Sequence, residues 1–153
     1  MLPKRSLRTM RKAATAGDII FRGDLTLITD MPKRVMVVED DAHVRELVSI
    51  ILKRDGYEVV ESINGKDALI KLNGENIDML ITDLNMPEMG GLELVRKLRN
   101  RTGSELTPVI MITSENHESI RIKVEKAGIN KWILKPCIRK DLKKAIRKLM
   151  SVN

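Results

Sequence analysis

From Arg34 onward, short apolar runs alternate with longer segments of helical period, and this alternation constrains the fold more than any other feature of the chain. The pattern is typical of repeated strand and helix units. Strands are predicted at Arg34–Val38, Tyr57–Ser62, Met79–Thr82, Val109–Thr113 and Lys131–Leu134. Helices are predicted at Ala42–Arg54, Lys66–Asn73, Leu92–Arg101, Glu118–Ala127 and Lys140–Met150. Because crossovers between parallel strands are nearly always right-handed, five such units predict an α/β fold with a doubly wound five-stranded parallel sheet.

The net charge of +7 is unevenly distributed along the chain. Most of it lies before Val35 and in the last predicted helix, whereas the middle is slightly acidic. This is a poor footprint for a dedicated nucleic-acid surface, so nucleic acid is not the expected partner. A nucleic-acid-binding protein that uses the basic N-terminal arm and the last helix remains the alternative function.

Two further features bear on location. No apolar run approaches the roughly 20 residues that span a bilayer, so no membrane segment is expected. The single cysteine, Cys137, cannot form an internal disulfide, which fits a cytoplasmic protein.

Residues 1–33 show neither strand alternation nor a sustained helical stripe. We expect them to form a basic, flexible N-terminal extension, with one domain at residues 34–150 and no output domain. An equally good interpretation is that the domain begins at Met31 and that the preceding residues reflect the choice of start site.

Acidic, hydroxyl and basic residues stand at the predicted carboxyl ends of four strands, where a doubly wound sheet binds its ligands. They are Glu39, Asp40 and Asp41 after the first strand, Asp83 after the third, Thr113 and Ser114 at the fourth, and Lys135 after the fifth. Any one of them alone is more often a helix N-cap or a solvated loop residue.

Taken together, these residues suit phosphoryl chemistry. Mg²⁺ prefers oxygen ligands and usually takes one or two carboxylates. An aspartate beside such an ion can act as a nucleophile toward phosphorus. A lysine and a hydroxyl then pair with the phosphoryl oxygens, so the set predicts a magnesium-dependent phosphoryl site.

Four stretches resemble, in the right order, the signature segments of response-regulator receiver domains: VMVVEDDAHVREL, ITDLNMPEMGGLEL, VIMITSEN and AGINKWILKPC. The resemblance covers Arg34 to about Met150 and implies a flavodoxin-like fold with strand order 2-1-3-4-5. It also implies a chemotaxis-type, single-domain response regulator that receives a phosphoryl group from a histidine kinase or phosphotransfer protein with Mg²⁺. Such a protein is not an enzyme, although it assists its own phosphorylation and dephosphorylation.

The resemblance assigns roles residue by residue. Asp83 resembles the phosphoacceptor, Thr113 the switch hydroxyl, and Lys135 the phosphate-binding lysine, with a cis bond to Pro136. Trp132 stands where the family usually has Tyr or Phe and is assigned to the switch with Thr113. A tryptophan that covers the sheet edge or anchors a partner is an equal alternative.

The implied metal ligands are Glu39, Asp40, Asp83 and the backbone carbonyl of Asn85. When Arg45 is aligned with the arginine often found in the family's first helix, the acidic pair falls on Glu39 and Asp40, with Asp40 as the direct ligand. Asp41 is then the N-cap of the first helix, with a role in the acidic site as the alternative.

Two expectations concern the lifetime and the output of the signal. Asn85 and Glu115 resemble side chains that accompany rapid loss of the phosphoryl group in chemotaxis-type receivers. The output is expected to be a protein contact of the face formed by the fourth helix, the fifth strand and the fifth helix. A basic helix face is suited to an acidic partner or a second copy, although a simply solvated face is an equal alternative. Its residues are Lys140, Lys143, Lys144, Arg147 and Lys148.

Overall fold

The computed structural model describes residues 31–137 and 139–151, in which strands and helices alternate. The strands are β1 (Arg34–Val38), β2 (Glu58–Ser62), β3 (Met79–Thr82), β4 (Val109–Thr113) and β5 (Lys131–Leu134). The helices are α1 (Ala42–Arg54), α2 (Gly65–Leu72), α3 (Gly91–Arg99), α4 (Glu118–Lys126) and α5 (Arg139–Met150). In this part of the chain no helix is long and apolar enough to cross a membrane. The extension predicted for residues 1–33 lies outside the described residues except for its last three.

The predicted element boundaries differ from the observed ones by at most two residues, and the differences have local causes. Strand β2 begins at Glu58 rather than Tyr57, because the Tyr57 N–H still donates to Leu52 O at the end of α1, at 3.1 Å. Helix α2 begins at Gly65, because the Asn64 side chain accepts from Asp67 N and caps it there. Helix α3 ends at Arg99, and the Arg101 N–H closes a tighter turn onto Leu98 O.

All five strands are parallel and lie in the order β2-β1-β3-β4-β5. The predicted doubly wound sheet and the implied strand order are therefore confirmed. Alternate residues of β1 face opposite layers, as the pleat of a strand requires. Val35 and Val37 pack in a core with α1 and α5, whereas Met36 and Val38 pack in a core with α2 and α3. Because all five strands run parallel, their carboxyl ends meet at one edge of the sheet.

The loop from β1 to α1 lies at this edge and is short and acidic, consisting of Glu39, Asp40 and Asp41. Asp41 is the N-cap of α1, as predicted, because its Oδ1 accepts from His43 N at 2.9 Å and from Val44 N at 3.2 Å. These two bonds hold the pKa of Asp41 below its ordinary value. The Asp41 carboxylate is thus occupied by the first turn of α1.

Gly91 allows α3 to begin against the loop that follows β3. A Cβ atom on Gly91 would lie 2.0 Å from the main-chain oxygen of Asp83, which no real contact permits. The Gly91 N–H donates to Leu84 O at 2.9 Å and closes the loop on itself. The absence of a side chain at Gly91 therefore allows the start of α3 to lie against the main-chain oxygen of Asp83.

We expect Gly91→Ala to lower the free energy of unfolding by about 1–3 kcal/mol, because a methyl group forced against backbone must displace the loop. Urea denaturation measures the change. Gly74→Ala is the matched control, since a Cβ there meets nothing within 4 Å. That control should be neutral or stabilising by up to about 1 kcal/mol. Equal stability of the two variants would contradict the close approach of Gly91 to Asp83.

Candidate functional site

Three carboxylates meet at the carboxyl-end edge of the sheet. Glu39 and Asp40 follow β1, Asp83 follows β3, and one oxygen of each lies within 4.8 Å of the others. Glu39 and Asp83 are buried, being 4% and 8% exposed, whereas Asp40 is exposed. Like charges at this separation disfavour one another's ionised form, so the cluster requires a compensating cation.

Asp83 is fixed on both carboxylate oxygens. Its Oδ1 accepts from Leu84 N at 2.6 Å, and its Oδ2 accepts from Lys135 Nζ at 2.8 Å. Its backbone is also held, because the Thr82 hydroxyl donates to Asp83 O at 2.9 Å and Asp83 N donates to Val38 O at 3.1 Å. The carboxylate is therefore presented in one orientation.

Lys135 supplies positive charge to two of the three carboxylates. Its Nζ lies 2.8 Å from Asp83 Oδ2 and 2.9 Å from Glu39 Oε2. Its main-chain N–H donates to Thr113 O at 2.9 Å, which fixes the start of the loop against β4. The bond from Lys135 to Pro136 is cis, as predicted.

The electrostatics of the site follow from burial and from these contacts. Burial raises the pKa of Glu39, and repulsion by Asp83 acts in the same direction against the opposing hydrogen bonds from Lys135 and Asp41. The folded protein thus holds the Glu39 proton more tightly than the unfolded chain, so ionisation of Glu39 costs stability above the raised pKa.

Burial alone lowers the pKa of Lys135, but its bonds to Asp83 and Glu39 outweigh burial and the net pKa is raised. The stabilisation from a raised lysine pKa is fully present below the ordinary value and is lost only as the pH rises through the raised value. The Lys135 side chain is therefore a charged ammonium at neutral pH.

Thr113 and Asn85 lie at the same edge of the sheet. Thr113 ends β4 and is fully buried, and its hydroxyl accepts from Glu115 N at 3.3 Å. Asn85 is exposed in the loop after β3, and its Nδ2 donates to Glu115 Oε1 at 3.4 Å. Glu115 thus links the loop after β3 to the loop after β4.

Trp132 is half-buried on β5, and it packs against a small buried cluster formed by Leu84, Met111 and Val124, the last of which belongs to α4. Its indole Nε1 is buried and has no hydrogen-bond partner within the described ranges. β5 and α4 therefore share one apolar cluster, and α4 is the helix that follows Thr113 and Glu115 in the chain.

Arg45 contributes a contact that the sequence analysis does not predict. Its Nη1 donates to the main-chain oxygen of Glu39 at 2.7 Å. Sequence analysis uses this arginine only to align the acidic pair. A basic residue one turn into a helix that follows an acidic loop predicts a contact between that residue and the loop. Which oxygen of the loop accepts the hydrogen bond depends on the loop conformation and is not predictable from the sequence.

A comparison against known protein families agrees with the fold. Residues 35–147 match the response regulator receiver domain, and the chain belongs to that family. The resemblance noted from the sequence is thereby confirmed, and with it a place among two-component signalling proteins.

Similar proteins include several chemotaxis regulators. The chain is 38% identical over 122 residues to chemotaxis protein CheY1 of Helicobacter pylori, covering 78% of this chain and 98% of that protein. It is 38% identical over 119 residues to a CheY homolog of Campylobacter jejuni, covering 76% and 92%. The crystallised chemotaxis protein CheY4 of Vibrio cholerae superposes with a TM-score of 0.75 at 31% identity, over 78% of this chain and 99% of that chain. These likenesses do not favour the nucleic-acid-binding alternative.

We expect Lys135→Met to lower the free energy of unfolding of the metal-free protein by about 1–3 kcal/mol, because Glu39 and Asp83 would remain buried without a cation. Urea denaturation in the presence of EDTA measures this change. Added Mg²⁺ should reduce the deficit, because a divalent ion supplies the missing positive charge.

Lys97→Met, on the exposed surface of α3, is the matched control for this experiment. It should change the stability by less than about 0.5 kcal/mol. If Lys135→Met were as stable as Lys97→Met in EDTA, the role of Lys135 as the compensating cation would be wrong.

Proposed function

We propose that this protein is a phosphorylated signalling switch whose receiver domain, residues 34–150, accepts a phosphoryl group on Asp83 from a histidine kinase or a phosphotransfer protein in the cytoplasm. One observation carries the proposal: within the cluster of carboxylates, Lys135 Nζ contacts both Asp83 Oδ2 and Glu39 Oε2. A phosphoryl acceptor needs a nucleophilic carboxylate beside a cation that can pair with the transferred oxygens. This arrangement supplies both.

The donor set fits Mg²⁺, because the clustered side chains offer only oxygen ligands. Both Glu39 oxygens are already engaged, Oε1 by Asp41 N at 3.1 Å and Oε2 by Lys135. Asp40 has no hydrogen-bond or ion-pair partner in the part of the chain that the structure describes. This contrast supports Asp40 as the direct ligand and Glu39 as a helper, with Asp83 and the Asn85 carbonyl completing the proposed set. When bound, the ion offsets negative charge on the acceptor and on the phosphoryl oxygens.

In the proposed reaction, a carboxylate oxygen of Asp83 bonds to phosphorus while the phosphorus–nitrogen bond of the donor breaks. The donor imidazole leaves with that electron pair. The Leu84 N–H holds the carboxylate in position, and the Lys135 ammonium pairs with a phosphoryl oxygen. The Thr113 hydroxyl is the second group that can pair with a phosphoryl oxygen. It accepts a hydrogen bond from Glu115 N, so its own proton is available to donate to the phosphoryl group.

A hydrolase that works through an aspartyl phosphate is the rival class with the same nucleophile. Such an enzyme normally needs a second catalytic acid just after the nucleophile. Asn85 occupies that place and carries no acidic group. The signalling role is therefore preferred.

The signal is proposed to pass through a shift between two packings of α4, β5 and α5. Trp132 supports this route, because it packs against the cluster that includes Val124 of α4, while its buried Nε1 lacks a partner among the described residues. A buried unsatisfied donor is costly, so a second packing that satisfies it has an energetic reason to be populated.

The proposed output partner is an acidic protein surface or a second copy of the chain. A groove of about 430 Å³ lies between β5 and α5, and Lys131, Lys144 and Lys148 are among its lining residues. Lys143 was expected to share this basic face, but its Nζ forms an ion pair with Asp55 Oδ1 at 2.9 Å, close to the end of α1. The cations around the groove support an acidic partner.

Incubation with acetyl phosphate and Mg²⁺ should add one phosphoryl group, measured by intact mass, and EDTA should prevent the gain. Asp83→Asn should not be phosphorylated, because an amide is not a nucleophile of this kind. Asp41→Asn is the control and should react like the wild type, since asparagine caps a helix as well as aspartate. A gain of mass in Asp83→Asn equal to that of the wild type would contradict the proposal.

The phosphoryl group is expected to be short-lived, because Asn85 and Glu115, two residues beyond Asp83 and Thr113, are hydrogen-bonded to each other and can orient an attacking water. Asn85→Ala and Glu115→Ala should each slow its loss by about 10-fold, the effect of losing an orienting group. The decay of the phosphorylated mass after removal of the donor measures the rate. Glu118→Ala, an exposed acidic change in the first turn of α4, is the control. An unchanged decay rate in both test variants would show that Asn85 and Glu115 do not promote loss of the phosphoryl group.

A further inference from the structure

We infer that Arg45 is a positioning residue for the metal site: it fixes the peptide unit between Glu39 and Asp40 and thereby aims the Asp40 carboxylate. The inference rests on the proposed function, because it concerns the same acidic cluster. It assigns to Arg45 a role in metal affinity rather than in phosphoryl transfer itself.

The acidic loop between β1 and α1 is held at both ends by backbone and capping bonds. At its start, the Glu39 N–H donates to Ser62 O of β2 at 3.1 Å. At its end, the Asp41 carboxylate caps α1, and the Asp41 N–H donates to Glu39 Oε1 at 3.1 Å. These bonds fix the ends of the loop but leave the plane of the central peptide to be set by another contact.

Arg45 supplies that contact through Nη1, 2.7 Å from Glu39 O. The side chain is half-buried, and among the described residues it forms no ion pair. Its charge is therefore directed at a neutral carbonyl, although three carboxylates belong to the same loop. A charge-assisted, directional bond of this kind holds a peptide plane while leaving the carboxylates to a bound ion.

Rotation of the central peptide would swing the Cα–Cβ bond of Asp40, the carboxylate with no other restraint in the described part of the chain. Loss of the Arg45 bond should thus weaken metal binding by making the ligand less well oriented. Arg45 forms no hydrogen bond or ion pair with Asp83, Lys135 or Thr113. Phosphoryl transfer at saturating Mg²⁺ should therefore be retained.

The first test is Mg²⁺ affinity by isothermal titration calorimetry for Arg45→Met, Arg45→Lys and the wild type. Arg45→Met should bind Mg²⁺ about 10-fold more weakly, the typical effect of removing a group that orients a metal ligand. Arg45→Lys keeps a cationic donor and should recover part of the affinity. Arg54→Met removes an exposed arginine from the last turn of the same helix and is the matched control, expected to bind like the wild type.

The second readout separates positioning from general damage to the fold. The rate of phosphorylation by acetyl phosphate is measured against Mg²⁺ concentration for the same variants. In Arg45→Met the half-saturating Mg²⁺ concentration should rise by the same factor as the dissociation constant, while the rate at saturating Mg²⁺ stays close to that of the wild type.

Three outcomes would overturn the inference. Equal Mg²⁺ affinity for Arg45→Met and Arg54→Met would show that the bond to Glu39 does not orient a ligand, and it would leave the proposed function intact. A lower rate for Arg45→Met even at saturating Mg²⁺ would show a merely structural role. A wild-type protein that binds no Mg²⁺ would overturn the proposed function and, with it, the inference.

Discussion

A lysine ammonium shared between two buried carboxylates is the interaction on which the site depends. Glu39 and Asp83 come from neighbouring strands, and Lys135 comes from the far end of the sheet. The parallel arrangement makes this possible, since every strand brings its carboxyl end to the same edge. The same arrangement places two buried negative charges at one edge, which is destabilising without a cation, and Lys135 supplies that cation. The order β1-β3-β4-β5 is thus required by the chemistry as well as by the packing.

The same lysine connects the acidic cluster to the proposed output face. Lys135 directly follows β5, which carries Trp132, and its N–H is bonded to Thr113 O. Phosphorylation of Asp83 would change the charges that the Lys135 ammonium contacts. The backbone of Lys135 continues directly from β5, the strand that carries Trp132. Trp132 packs against a cluster that includes Val124 of α4, so movement of this strand would reach the helix through that one cluster. The proposed population shift therefore needs no long chain of intermediates.

The sequence predicts those features of the molecule that depend on periodicity and on the order of the strands. The boundaries of β1, β3, β4, β5 and α1 follow from runs of apolar residues, and the strand-end carboxylates follow from the topology of parallel units. The Asp41 cap is predictable as well, because an acidic side chain just before a helix has a defined geometry. Two other contacts are not predictable in this way. The close approach of Gly91 to Asp83 O and the turn of Lys143 toward Asp55 depend on loop paths and rotamers, which no periodicity encodes.

The two cations near the acidic loop differ in a way that matches their side-chain chemistry. An ammonium group is a compact charge with rotatable donors, so Lys135 can pair with two carboxylates and later with a phosphoryl oxygen. A guanidinium group is planar and has fixed donor directions, so Arg45 is suited to hold one carbonyl in one orientation. An arginine at position 135 would be too rigid to pair in turn with the carboxylates and the phosphoryl group. A lysine at position 45 would hold the Glu39 carbonyl in a less fixed orientation. Each residue type is therefore suited to its own position, and a positive charge alone explains neither the lysine nor the arginine.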